Sequence, residues 1–220
     1  MQSRLDVYLA ENNIVRSRSL AASLIKQGSI SVNGKICVKP SFLVGSSDTI
    51  SVIGEMPKYV GRGCLKLEKA LSDYKLHLDG CVCLDIGAST GGFTDCMLQN
   101  GAEKVYSVDV GKNQLDEKLR NDSRVISMEQ TDIRNCVGVI PAVDFISIDV
   151  SFISLKLVLP SAYSLLKDGG ECVALIKPQF EAGKAYLSKN GIVRDTKIHK
   201  KVCDDISAFA ASIGFSVYET

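Results

Sequence analysis

The sequence predicts two domains, a small α+β module followed by an α/β domain built on a parallel, helix-flanked sheet. Length, a change of periodicity along the chain and an uneven spread of charge carry this reading. The 220 residues suffice for one α/β domain with its own core plus a small appendage, since single domains commonly run about 100–200 residues. From residue 64 onward, apolar strand-like runs alternate with helical patterns, which argues a parallel sheet covered by helices. Net charge is only +1, yet the chain before Tyr59 carries seven basic against four acidic residues, +3, leaving −2 for the rest. The basic surplus therefore sits at the front end.

Between Arg4 and Lys26 the apolar residues Leu5, Tyr8 and Leu9, then Leu20, Ala21, Leu24 and Ile25, recur at three- and four-residue intervals, predicting two short amphipathic helices. Ser17 is placed to cap the second helix, and Gly28 to stop it. Residues 29–32 and 35–38 read as strands joined by Asn33-Gly34, a tight turn that needs positive φ. A further strand is predicted at 49–53. Residues 1–56 thus form an RNA-sized module, with Arg4, Arg16, Arg18, Lys26, Lys35 and Lys39 as candidate phosphate contacts. Gly54-Glu55-Met56-Pro57-Lys58 breaks both periodicities, so residues 57–63 are expected to be the linker. Arg62 within it is a further candidate RNA contact. The second domain, 64–220, is predicted to begin with a helix at 65–74 and to contain strands at Val82–Ile86, 105–110, Val125–Met128, Val143–Ile148 and 172–176.

Composition narrows the function classes. Hydrophobic residues are 45% and charged residues 23%, as in an ordinary globular protein rather than a disordered or fibrous one. No apolar run reaches the roughly 18 residues of a membrane span, and Met1-Gln2-Ser3-Arg4 leads into no secretory segment. A cytoplasmic protein with no membrane partner is expected. The eight cysteines show no Cys-x-x-Cys pairing and read as reduced core thiols. Cys81-Val82-Cys83 would share one strand face, and His77 alone cannot complete a tetrahedral site, so no metal is expected.

In a doubly wound sheet, ligands bind at the carboxyl ends of the strands. The first such end reads Asp85-Ile86-Gly87-Ala88-Ser89-Thr90-Gly91-Gly92-Phe93-Thr94, a glycine-rich turn that lets the backbone approach a bulky ligand. The second ends at Asp109, where a carboxylate can accept hydrogen bonds from both ribose hydroxyls of an adenosyl ligand. Asp132, after the third strand, is placed to face the adenine edge. The turn lacks the Gly-x-Gly-x-x-Gly order that best suits a pyrophosphate, which favours S-adenosylmethionine over a nicotinamide dinucleotide. Candidate cofactor contacts are therefore Asp85, Gly87, Ala88, Ser89, Thr90, Gly91, Gly92, Phe93, Asp109 and Asp132.

The fourth and fifth strands end in Ile148-Asp149-Val150-Ser151-Phe152 and Leu175-Ile176-Lys177-Pro178-Gln179-Phe180, bringing an acid and a lysine to adjacent positions on the carboxyl edge. Methylating a ribose hydroxyl requires a base to take its proton as the oxygen attacks the methyl carbon. A lysine, ordinarily near pKa ~10.4, serves only if burial or neighbouring cations bring that value down. Lys66, on the helix following the linker, is the candidate second lysine, and Asp149 between the two would hold their geometry.

Arg4-Leu5-Asp6-Val7-Tyr8-Leu9 with Ser17-Arg18 and Val32-Asn33-Gly34 resembles an S4 domain, a small RNA-binding fold. Combined with Lys66-Leu67, the Gly-Ala-Ser-Thr-Gly-Gly-Phe-Thr run, the Asp149–Leu155 stretch and Lys177-Pro178-Gln179-Phe180-Glu181, nearly the whole chain is similar to the TlyA family, also labelled hemolysin A. The resemblance implies a Rossmann-like, FtsJ-like methyltransferase domain acting on cytidine 2′-hydroxyls of ribosomal RNA with S-adenosylmethionine, its partners being ribosomal RNA or ribosomal subunits. It implies a Lys-Asp-Lys-Glu tetrad whose first three members match Lys66, Asp149 and Lys177, with Lys177 as base. The fourth has no counterpart, because Val217-Tyr218-Glu219-Thr220 does not match the family's glutamate segment. A shortened form with weak or no activity is the expectation. Gly61 and Cys64 also replace the serine and glycine usual beside the first lysine. The alternatives are an rRNA-binding protein that keeps only the cofactor fold, an NAD-dependent enzyme on the same sheet, and a membrane-active hemolysin, the last opposed by the absence of a spanning or strongly basic amphipathic segment.

Overall fold

A computed structural model describes residues 2–15, 18–54, 59–61 and 63–218. Arg16, Ser17, Arg62 and Glu219, together with residues 55–58 of the predicted linker, lie outside the described residues. The chain divides into two units, Met1–Lys58 and Tyr59–Thr220, each with its own core.

In the first unit, strand β1 (Ser3–Arg4) leads directly into helix α1 (Leu5–Glu11), and α2 (Arg18–Lys26) follows. Their buried stripes, Leu5 and Leu9 on one and Ala21, Leu24 and Ile25 on the other, meet as the sequence periodicity requires. Three strands, β2 (Ile30–Val32), β3 (Lys35–Ile36) and β5 (Ile50–Val52), form an antiparallel sheet ordered β3-β2-β5, while β4 (Leu43–Val44) pairs with β1. Asn33 and Gly34 take φ of 52° and 77°, the paired positive values that let a two-residue turn follow the strand twist. Asp48 fixes that turn by accepting from Asn33 Nδ2 at 2.8 Å. The two-residue β1–β4 pairing was not predicted, since two residues carry no periodicity.

The second unit opens with α3 (Cys64–Asp73), one residue earlier than expected. The predicted linker ended at residue 63, but residues 59–61 are built into this unit. Tyr59 is buried and its hydroxyl donates to Glu68 at 2.6 Å, while Val60 N donates to Asp95 Oδ2 at 2.8 Å. Then come β6 (Val82–Ile86), α4 (Gly92–Gln99), β7 (Lys104–Val108), α5 (Glu117–Arg120), β8 (Val125–Met128), β9 (Val143–Ile148), α6 (Leu155–Leu165), β10 (Leu166–Ala174), α7 (Pro178–Glu181) and α8 (Thr196–Ser212). The five strands run parallel in the order β10-β9-β6-β7-β8. β10 starts earlier than the predicted 172–176 and contains a register shift between Leu166 and Glu171, where Gly169 takes φ of 76°. β7 stops at Val108 rather than at 110.

Alternation along the strands sorts their side chains into two layers. Leu84 and Ile86 of β6 with Ile146 and Ile148 of β9 face α6 and α8. Cys83 and Phe145, one residue out of phase, face α3 and α4 with Leu67, Cys96 and Met97. Burial pushes the Cys83 thiol up to about 12, as for an inert core thiol. Among the described residues no helix is long and apolar enough to cross a membrane.

Candidate active site

Strand order reverses at β6, which pairs with β7 on one side and β9 on the other. The crevice outside the carboxyl ends of β6 and β9 is where such a sheet accepts a ligand, and the chemistry-bearing residues gather there.

The glycine turn after β6 is tied to its neighbours by backbone bonds. Gly87 N and Ala88 N both donate to Val108 O, at 2.9 and 3.1 Å. Gly87 takes φ of 84°, and a Cβ on it would lie 2.8 Å from the carbonyl oxygen of Asp149, so only glycine lets the turn pass this close to the end of β9. Gly91 caps α4 in the left-handed region. Ser89 and Thr90 are exposed on the turn, Gly92 is part-buried, and Ala88 and Phe93 are buried beneath it.

Asp109 reaches back across the turn, with Oδ2 accepting from Ser89 N at 2.8 Å and Oδ1 from Gly111 N at 2.7 Å. Each oxygen keeps a lone pair for an incoming hydroxyl. The loop beyond is organised by Glu129, whose carboxylate accepts from the backbone N–H groups of Asn113, Gln114 and Leu115 at 2.8, 2.6 and 2.9 Å. Those bonds hold the Glu129 carboxyl below its usual value, that to Leu115 most strongly.

Two of the expected cofactor contacts are engaged otherwise. Asp85 shares the strand face of Cys83 and is fully buried. It accepts from Thr94 N at 2.8 Å, Thr94 Oγ1 at 2.7 Å and Ser147 Oγ at 3.1 Å, bracing the turn from beneath. Burial pushes its carboxyl up to about 6 against the pull of those bonds. Asp132 caps a single 3₁₀ turn through Arg134 N and forms an ion pair with Arg134 Nη2 at 2.6 Å, an arrangement that holds its carboxyl below the usual range, the Arg134 side chain contributing most.

Lys66, Asp149 and Lys177 are brought together. Lys177 Nζ lies 2.5 Å from Asp149 Oδ1 and Lys66 Nζ lies 3.6 Å from Oδ2. Beside its ion pair with Asp149, Lys177 Nζ donates to Ser151 Oγ at 2.9 Å. Asp149 Oδ1 is buried with no aligned donor among the described residues. The Lys177 side chain is 19% exposed and that of Lys66 55%, so Lys177 is the one drawn into the crevice.

Two site features escaped the sequence reading. Phe152 is 91% exposed with φ of 64°, a strained value for a bulky residue, and its ring lies 5.1 Å from that of Phe180. Glu181 accepts from Ser154 Oγ at 2.5 Å and from Leu155 N at 2.8 Å, fastening the segment that bears Lys177 to the segment that bears Asp149. The only sequence signal for the latter was Pro178, which starts a short helix and so aims a side chain three residues on. Of the candidate RNA contacts, Arg4, Arg18, Lys26, Lys35 and Lys39 are all exposed on the first unit. The described residues hold no group of three or more His, Cys, Asp or Glu side chains suited to a metal ion.

Comparison with known proteins agrees with this architecture. The family model described as FtsJ-like methyltransferase matches residues 59–220, and that of the S4 domain matches residues 3–50. YqxC of Bacillus subtilis (strain 168), a candidate rRNA methyltransferase by name, is 45% identical over 97% of this chain and 77% of its own length. A 16S/23S rRNA (cytidine-2′-O)-methyltransferase, TlyA of Mycobacterium tuberculosis, is 37% identical over 97% of this chain and 81% of its own. A solved structure from Streptococcus thermophilus, described as a candidate hemolysin, superposes with a TM-score of 0.74 at 46% identity, covering 99% of this chain and 81% of that one. The glycine turn, the acid after β7 and the Lys-Asp-Lys cluster thus lie in a Rossmann-like domain, preceded by an S4 domain, of a chain that belongs to the FtsJ-like methyltransferase family.

Proposed function

We propose that this chain is an rRNA (cytidine-2′-O)-methyltransferase of the TlyA type, using S-adenosylmethionine as methyl donor and ribosomal RNA or ribosomal subunits as substrate. The observation that carries the reading is the convergence of Lys66, Asp149 and Lys177 at the switch point of the sheet, beside a turn that only glycine can form. The residues present fit the donor: Gly87 lets the turn lie against the end of β9 where a Cβ would strike the Asp149 carbonyl, and Asp109, anchored by Ser89 N and Gly111 N, offers acceptor oxygens suited to ribose hydroxyls. Bound there, S-adenosylmethionine supplies an electrophilic methyl group.

The chain's own residues do the rest. Lys177, as the free amine, takes the proton from the attacking 2′-hydroxyl at Nζ, and Asp149, whose Oδ1 is buried, holds that nitrogen in place. Lys66 engages the second oxygen of Asp149, which keeps the carboxylate oriented between the two lysine nitrogens. Ser151 fixes the direction of one Lys177 N–H. The exposed ring of Phe152, propped against Phe180, offers a face on which the target base can stack. The S4 domain supplies RNA affinity through exposed cations.

The test is transfer of a labelled methyl group from S-adenosylmethionine to ribosomal subunits by this chain, by Lys177→Ala, and by a form extended with the glutamate segment typical of the family. Label on a ribose 2′-oxygen that drops by about 10²–10⁴-fold in Lys177→Ala is expected, the usual contribution of a positioned base. No label from either the chain or its extended form, with S-adenosylmethionine still bound, would leave an RNA-binding protein and defeat the catalytic assignment.

A further inference from the structure

The S4 unit contains a buried carboxylate held by two arginines from different elements. Asp6 lies in the first turn of α1 with its side chain 4% exposed. Arg4 grips it side-on, Nε to Oδ1 at 2.9 Å and Nη2 to Oδ2 at 3.0 Å. Arg18, at the start of the other helix, donates from Nε to Oδ2 at 3.1 Å. Yet the two arginine side chains are 46% and 60% exposed. One edge of each guanidinium is thus spent on Asp6 while the opposite edge faces solvent. Among the described residues, no side chain accepts from Arg4 Nη1 or from either terminal nitrogen of Arg18.

A guanidinium presents five donors in a rigid fork, so anchoring one edge fixes the direction of the others. Two arginines anchored on one carboxylate are held close together, each with donors left over that face solvent. Holding them this way moves the cost of ordering two long side chains from the binding step to folding, which is how a preorganised site gains affinity. We infer that Asp6 is a positioning residue for RNA, clamping Arg4 and Arg18 into a two-guanidinium site for one backbone phosphodiester. This rests on the reading of the first unit as an RNA-binding module. The hydrogen bonds from Arg4, reinforced by Arg18, hold the Asp6 carboxyl down to about 2, so the clamp stays charged throughout the range in which RNA is handled.

The sign of one substitution separates this role from simple charge balance. Asp6→Asn adds one unit of positive charge, so a surface that binds RNA by net charge alone must bind more tightly. The clamp requires the opposite. Affinity of the full chain for ribosomal subunits, measured by filter binding over a salt series, is expected to fall roughly tenfold, with the salt slope shallower by about one for the phosphodiester no longer neutralised. Asp6→Asn introduced on top of Arg4→Ala and Arg18→Ala is expected to cost nothing more, because there is nothing left to position. Folding of the S4 unit is followed by the amide spectrum of each variant. Should Asp6→Asn fail to fold, the pair Arg4→Lys with Arg18→Lys keeps the charge and removes the forks, and weakened binding by that variant is the expected result. Unchanged or tighter binding by a folded Asp6→Asn, or unchanged binding by the lysine pair, overturns the clamp. If the unaltered chain shows no salt-sensitive RNA binding, the RNA-module reading fails first and the clamp with it, an outcome distinguishable because no variant is needed to see it.

Discussion

Asp85 and Asp149 show how one residue type acquires two roles through environment. Both follow apolar runs at the carboxyl edge of the sheet, but Asp85 falls on the inward phase of β6 while Asp149 lies beyond the end of β9. The first is sealed under α4 and the second is offered to two lysines. Burial pushes the Asp85 carboxyl up to about 6, above the roughly 3.9 of an unfolded chain. Between those values the folded state holds a proton that the unfolded state has lost. Stability contributed by this group is therefore fully present below about pH 4 and is lost as pH rises through about 6, amounting to about 3 kcal/mol at a fully buried site. Denaturant unfolding of the protein and of Asp85→Asn across pH 4 to 7 should show the variant gaining by about that amount relative to the parent. A stability difference that stays constant with pH would mean that Asp85 does not carry this burden.

At the scale of elements, the crevice is held by ties between strand ends rather than by the strands themselves. β9 and β10 deliver Asp149 and Lys177, but their spacing beyond the sheet depends on Glu181 of α7 and the N-terminus of α6. Glu181→Gln keeps size but cannot accept from both Ser154 Oγ and Leu155 N, and losing a hydrogen bond to a charged group costs about 1.5–3 kcal/mol. The expected result is a roughly tenfold fall in kcat with S-adenosylmethionine affinity unchanged, read by single-turnover methylation and by calorimetry. A folded variant with normal kcat would show that Lys177 finds its place without this tie. Much of the architecture was legible in the sequence, since apolar periodicity marked α1, α2, β6, β8 and β9, and Asn33-Gly34 marked its turn. What escaped has a common physical cause. The β1–β4 pairing, the early start of β10 through Gly169 and Gly170, the φ of Phe152 and the reach of Glu181 are all set by tertiary contacts, and local sequence carries no record of them. The surroundings of Asp85 escaped for the complementary reason: it was read by strand-end position, and strand phase is what buries its carboxylate beneath the turn.

At the scale of the molecule, two units with separate cores divide the labour. The second unit holds both apolar layers of its sheet within residues from Tyr59 onward, so it has what it needs to fold without the first. A chain starting at Tyr59 is expected to bind S-adenosylmethionine within roughly twofold of the full chain and to lose salt-sensitive binding to ribosomal subunits. Calorimetry and filter binding check the two halves of that statement, and retained RNA affinity would move the RNA site into the methyltransferase unit.

The order of strands also sets a timetable for the chain as it leaves the ribosome. The small first unit is complete early, built from helices and a hairpin whose contacts are near in sequence, and such units fold fast. The central strand of the large sheet is the first of its strands to be made. Cys83 finds Val105 after one crossover, but its other neighbour, Phe145, belongs to β9, which emerges only after β7 and β8. Through that interval one edge of this central strand has no partner, the condition under which nascent chains pair wrongly. The edge that carries Asp149 and Lys177 is thus the last part of the sheet to close, and slowed elongation across residues 86–143 should lower the yield of soluble protein before it affects any property of the finished one.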